Sequence, residues 1–206
     1  LNYAAAGETP MVKVTASNGS KTTTLRGLTF TNSTVNPSTF DHDLDGAAIY
    51  ASGMLTNLTI QNCAFTDVKY GAGGVVNFDG YQLKIANSLI ADNTAFRATS
   101  PDNGAAVFVS YMQAYIHNCT IANNAVNSGG NVTGSCGVYA SDYTQQVYVY
   151  NSIVTGHTSA FRAGTGTTFE VKKSVVEVGS SAVPIDFTNG NNFSYTAGDP
   201  LYVNAG

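Results

Sequence analysis

Apolar and polar residues alternate along this chain in short runs, the period-two pattern of half-buried strands, and the runs repeat. Residues 58–65 read LTIQNCAF, 83–90 LKIANSLI, 114–121 AYIHNCTI and 147–154 VYVYNSIV. The shared pattern is apolar, any, apolar, any, Asn, then Cys or Ser, any, apolar. A weaker copy precedes these at 23–30 (TTLRGLTF, with Gly27 in the Asn column), and another follows at 169–176 (FEVKKSVV, with Lys173 there). Positions 27, 62, 87, 118, 151 and 173 stand 35, 25, 31, 33 and 22 residues apart. Self-similarity at this period signifies stacked repeats.

A second block precedes each central copy: GAAIYAS from Gly46, GGVVNFD from Gly73, GAAVFVS from Gly104 and SCGVYAS from Ser135. Each repeat is thus a short strand, a turn, a second strand ending at Asn, a third short strand and a variable loop, with no helical periodicity. Stacking such units pairs every strand with its equivalent above and below at about 4.8 Å and builds long parallel sheets. The predicted fold is all-β: a right-handed parallel β-helix, a single-stranded solenoid whose roughly six coils of three short strands make a rod of about 29 Å. One domain covers residues 1–206, with an irregular or incomplete first coil at 1–20, regular coils over 21–178 and a final irregular coil at 179–206. The opening LNYAAAGETPMVKV reads as the middle of something, and the chain is expected to be a segment of a larger protein.

At the break in alternation, Asn62, Asn87, Asn118 and Asn151 are expected to turn a corner in the left-handed conformation that Asn tolerates. Their amides, which both donate and accept, are expected to stack into a buried hydrogen-bonded ladder. In the first strand, Ile49, Val76, Val107 and Val138 face the core with Ala51, Phe78, Val109 and Ala140. The opposite side carries Tyr50, Asn77, Phe108 and Tyr139, then Ser52, Asp79, Ser110 and Ser141. In the second strand the outward columns read Thr59, Lys84, Tyr115, Tyr148, Glu170 and Gln61, Ala86, His117, Tyr150, Lys172.

Composition narrows the classes. Glycine is abundant at 21, tryptophan is absent and charged residues are 11%, as frequent turns and stacked small-residue columns require. A net charge of -4 disfavours nucleic acid, which needs clustered Lys and Arg. No apolar run approaches the ~18 residues that span a bilayer. Cys63 and Cys119 share a column with Ser88, Ser152 and Ser174 but lie two coils apart, about 9.6 Å by the strand spacing, too far for a disulfide. Cys136 belongs to the other strand block, and all three are read as small buried hydrophobes.

The GAAIY, GGVVNF and GAAVF blocks alternating with IADN and IANN resemble the GGAI and FxxN repeats of chlamydial polymorphic membrane proteins and related bacterial surface β-helix proteins. The closing AGDPLYVNAG resembles the DPLF(V)(N/D)A segment near the end of β-helix repeats in secreted bacterial proteins. Covering about residues 20–206, the resemblance implies a right-handed β-helix that is extracellular or on the bacterial cell surface and anchored by another segment. The same coil serves adhesins, glycan-binding modules and polysaccharide lyases, so fold does not choose among them.

The outward chemistry proposes a choice. Tyr50, Asn77, Asp79, Phe108 and Tyr139 on the first face, and Tyr115, Tyr148 and Tyr150 on the second, are the candidate ligand-binding residues, since exposed rings in a row stack on sugar faces while flanking polar groups bond their hydroxyls. DHDLDG at 41–46 places Asp41, Asp43 and Asp45 at every second position, a spacing that suits Ca2+, although Ser52 stands where an EF-hand has its closing Glu. No catalytic residue is assigned: His117 has no adjacent acid in its column, Lys69, Arg97 and Arg162 are the loop cations near the first face but the two arginines repeat in the similar contexts TAFRAT and SAFRAG as structural residues do, three arginines suit a polyanion poorly, and apart from Asp79 the first face lacks the carboxylate pair of a glycosidase. The expected function is an adhesive or glycan-binding segment of a bacterial surface protein, with a polysaccharide or host-cell glycan and further coils or domains of the same chain as partners. A calcium-dependent polysaccharide lyase and a structural spacer in a filament or autotransporter passenger are the alternatives. An ice-binding face is set aside, because Thr59 has no Thr stacked upon it.

Overall fold

The structure is a computed structural model that describes residues 10–15, 20–34, 48–70, 73–95, 105–126, 135–177 and 183–195, and every regular element among these is a β-strand. The strands fall into three columns. The first comprises Val12–Thr15, the opening parts of Ile49–Gln61 and Val76–Ala86, then Ala105–Ser110, Cys136–Ala140 and Ser159–Ala163. The second comprises Lys21–Arg26, the closing parts of those two long strands, Gln113–His117, Gln146–Tyr150 and Thr168–Lys172. The third runs through Thr29–Thr34, Ala64–Tyr70, Leu89–Ala91, Thr120–Ala122, Ile153–Thr155, Val175–Glu177 and Phe193–Tyr195. Each strand pairs in parallel with its equivalent one repeat away, so the chain winds as a solenoid. The first two columns join into one sheet because the chain passes between them without a break in Ile49–Gln61 and Val76–Ala86, with a register shift between Gly53 and Asn57.

The alternation predicts the interior. Ile49, Val76, Val107, Val138 and Phe161 are register partners in the first column, and Ile60, Ile85, Ile116, Val149 and Val171 in the second; all are buried. Phe65, Ile90, Ile121, Val154 and Val176 close the third side, and Phe30 stacks on Phe65 with centroids 4.7 Å apart. Burying each such side chain contributes about 2 kcal/mol. Because neighbours repeat at a fixed height, like stacks on like and the core is a set of aliphatic columns.

The corner after the second strand has the expected backbone: Asn62, Asn87, Asn118 and Asn151 have φ of 50 to 54°, and Gly27 and Lys173 are left-handed too. Their side chains correct the expected buried ladder. All four asparagines are exposed, with one amide bond, from Asn118 Nδ2 to Asn87 Oδ1 at 3.1 Å, running along the outside. The left-handed turn swings the following residue inward instead. In that column Ser88 Oγ accepts the Cys63 N–H, Ser152 Oγ accepts the Cys119 N–H, Ser174 Oγ accepts the Ser152 N–H and Asn192 Oδ1 accepts the Ser174 N–H. The cysteines donate to backbone carbonyls, and all three are free thiols.

A second left-handed corner ends the third strand at Asp92, Asn123 and Gly156, and falls within the longer strands Thr29–Thr34 and Ala64–Tyr70 at Asn32 and Asp67. Here the buried amides lie: Asn93 Oδ1 accepts the Val68 N–H at 2.9 Å, and Asn93 Nδ2 donates to Asn124 Oδ1 at 2.8 Å and to the Phe65 carbonyl at 3.0 Å. Asn124 Nδ2 bonds the Ile90 carbonyl at 2.9 Å and reaches His157 Nε2 at 3.2 Å. The short strands Thr94–Ala95 and Ala125–Val126 follow this corner, a further pairing segment beyond the expected three. Replacing Asn124 by Ala leaves buried backbone and amide groups without partners and is expected to cost about 3 kcal/mol or more in urea denaturation. Asn118→Gly, at an exposed left-handed site that glycine suits, is expected to change stability by less than about 0.5 kcal/mol.

His157 ends this buried column, and the Glu177 carboxylate accepts the backbone N–H groups of Gly156 and His157 beside it. Burial pushes its imidazole down from 6.5 to about 4. Between those values the unfolded chain binds a proton that the folded chain does not, so stability is full above about pH 6.5 and falls as the pH drops towards about 4. His157→Asn, which continues the amide column, is expected to flatten that slope in melting curves recorded across this range.

Candidate functional site

On the first face the register aligns Lys13, Tyr50, Asn77, Phe108, Tyr139 and Arg162 in one column, with Ser52, Asp79 and Ser110 in the next. The side chains are less open than alternation suggests. Tyr50 is 7% and Asn77 6% exposed; Phe108 and Tyr139 are half-exposed, as a tilted pair 5.4 Å apart, and Asp79 and Arg162 are half-exposed as well. Lys13 Nζ lies 5.9 Å from the Tyr50 ring centroid, a cation over a π-face. Asp41, Asp43, Asp45 and Arg97 lie outside the described residues. Among the described residues no three His, Cys, Asp or Glu groups converge as for a metal.

The second face is open and chemically ordered. Its columns are Asn57, Gln82, Gln113, Gln146, Thr168; then Thr59, Lys84, Tyr115, Tyr148, Glu170; then Gln61, Ala86, His117, Tyr150, Lys172. Tyr115 and Tyr148 stack with centroids 4.9 Å apart and planes 10° from parallel, so each ring stands upright and covers one face of the other. Their hydroxyls donate to Gln113 Oε1 at 3.0 Å and Gln146 Oε1 at 2.5 Å, which fixes the rings. Lys84 covers the outer side of Tyr115, its Nζ 6.0 Å from the centroid. The remaining face of Tyr148 looks towards the next coil, where the column holds Glu170. A depression of about 260 Å³ opens there, lined by Gln146, Tyr148, Thr168, Phe169 and Glu170.

His117 packs edge-on to Tyr150 at 5.3 Å, and partial burial together with Lys84 lowers its pKa. Glu170 pairs with Lys172, and hydrogen bonds from Lys172 and Tyr150 keep its carboxyl below the usual range. Burial, then the hydrogen bond and charge of Glu170, push the Tyr150 phenol up to about 12. Since a nearby anion opposes phenolate formation, Glu170→Gln is expected to lower the Tyr150 pKa in an NMR titration of the ring.

A third feature lies on the turn joining the first and second columns. Met54, Leu55, Tyr81, Tyr111 and Tyr143 project along it; Met54 is 70% and Tyr143 71% exposed, and Tyr111 stacks on Tyr143 at 5.8 Å. The signal is present in the chain as SGMLT, DGYQ, SYMQ and SDYTQ, each directly after a first-strand block. Alternation is blind to it because turn residues belong to neither face.

Parallel strands stacked coil upon coil in three columns define a β-solenoid. The family model described as a right-handed β-helix region matches residues 13–196, and the chain belongs to that family. No curated protein and no solved structure matches the chain.

Proposed function

We propose that this chain is a glycan-binding segment of an extracellular bacterial surface protein, an adhesive rod rather than an enzyme. The observation that carries the reading is the depression that Tyr148, stacked on Tyr115, lines with Gln146, Thr168 and Glu170. A sugar ring has an apolar face that stacks on an aromatic ring and a rim of hydroxyls that need donors and acceptors. The depression supplies both kinds of group. Gln146 Oε1 accepts from Tyr148, so its amide N–H groups can turn to a ligand, while Thr168 and the Glu170 carboxylate accept from ligand hydroxyls. The resemblance to chlamydial surface repeats supports the proposed location. The second face favours binding over hydrolysis, because Glu170 is the one carboxylate in the two tyrosine-bearing columns of its described residues and pairs with Lys172, whereas glycoside hydrolysis needs two.

The test is affinity electrophoresis and a glycan array with the wild type and Tyr148→Ala. The substitution is expected to weaken retention about tenfold, some 1.4 kcal/mol, with an unchanged melting temperature. Equal retention by both proteins rejects the Tyr148 site. New ultraviolet absorbance on incubation with pectate or alginate would instead support the lyase alternative, and calcium titration of Asp43→Ala would then test its proposed metal loop.

A further inference from the structure

The ridge over the turn between the first and second columns contains a backbone irregularity at a large side chain. Tyr111 has φ of +73°, a conformation that bulky residues avoid. It follows Ser110, the register partner of Asp79, and so stands at the level of Gly80, which pairs with Gly53. Gly53 has φ of +116°. A position filled by glycine in the two preceding coils is therefore given to a tyrosine; Gly53 shares its positive φ, whereas Gly80 does not and would instead bring a Cβ to 2.8 Å from the Phe78 ring, and glycine accepts the left-handed conformation of Tyr111 without strain. What the tyrosine gains is its stack on Tyr143, which is among the most exposed apolar side chains of the described residues.

Beside this ridge runs the amide column Asn57, Gln82, Gln113 and Gln146. Rings and amides thus form two adjacent lines along the coil axis, with the Tyr148 depression at one end. The amide column carries no charge, and Asp142, the carboxylate on the turn beside Tyr143, is engaged with the Thr165 N–H at 2.6 Å.

We propose that this strip is a track for a neutral, unbranched polysaccharide lying along the coil axis, with the Tyr148 depression as one subsite. The inference rests on the glycan-binding reading above and adds the ligand's charge, shape and direction. Direction follows from the register: three consecutive coils contribute the rings Tyr81, Tyr111 and Tyr143 to one line and the amides Gln82, Gln113 and Gln146 to the other, so only a ligand parallel to the axis meets successive members. Neutrality follows from the amides, which donate and accept equally and match hydroxyls in both roles, while a polyanion would find no row of cations there. An unbranched chain fits because the two lines are narrow and continuous over consecutive coils.

The test is calorimetry on the full chain with cello-, xylo- and manno-oligosaccharides from disaccharide to octasaccharide, and with oligogalacturonides as the charged comparison. Affinity is expected to rise with length for a neutral series. Tyr143→Ala and Tyr111→Gly are each expected to weaken the longest ligand about tenfold and to leave the disaccharide unaffected. Glycine suits the backbone at position 111, so Tyr111→Gly removes the ring while the melting curve checks that the fold is retained. Length-independent binding that only Tyr148→Ala abolishes overturns the track and leaves the glycan-binding reading standing. Tighter binding of the oligogalacturonides overturns the neutral class. Absence of binding to every member of the panel overturns the glycan-binding reading and this inference with it.

Discussion

The interaction on which the rest depends is the hydrogen bond that an inward side chain of one coil accepts from the backbone N–H of the preceding coil at each corner. A left-handed corner interrupts the strand ladder and turns the following amide into the dry interior, where an unpaired N–H is costly. Ser88, Ser152, Ser174 and Asn192 meet this need at one corner, and Asn93 and Asn124 at the other. Each bond links neighbouring coils, so satisfying a local defect also locks the height and register of the stack.

That register converts one-dimensional repetition into surface arrays. Parallel strands held in step place Tyr115 over Tyr148 and Gln113 over Gln146 without any long-range sequence signal beyond the repeat itself. Loops of very different length are tolerated between the strands, as the spacing of 22 to 35 residues shows, because a loop leaving and re-entering the same edge costs little extra entropy with length. The outer columns are free to vary in chemistry while the inner ones remain aliphatic. This separation allows the outer surface to change without loosening the core.

The two corners also illustrate how nearly equivalent positions divide their roles. At each, one residue takes the left-handed conformation and faces water, and the next enters the interior. Asn fills the outer role at 62, 87, 118 and 151 for its backbone tolerance, and the inner role at 93 and 124 for its amide. The same residue type thus serves two unrelated physical demands within one repeat, as the IANN segment at 121–124 shows in adjacent positions.

Much of this was legible in the chain. Period-two alternation identified the inward residues from Ile49 to Val149, and the recurrent Asn marked the corner, since both follow from local backbone geometry. The position of the buried ladder did not, because whether an amide at a corner points in or out depends on where the turn directs the following residue. The aromatic columns were readable by aligning repeats. Tertiary structure decided which rings are open: Tyr50 is buried, while Tyr148 lines an open depression beside Glu170, its partner in the next coil. Repetition by itself determined the solenoid and its columns, since each repeat needs its neighbours to bury its apolar side; exposure, ring orientation and the ridge through Tyr111 and Tyr143 were settled only by packing, because they depend on contacts between coils that no single repeat contains.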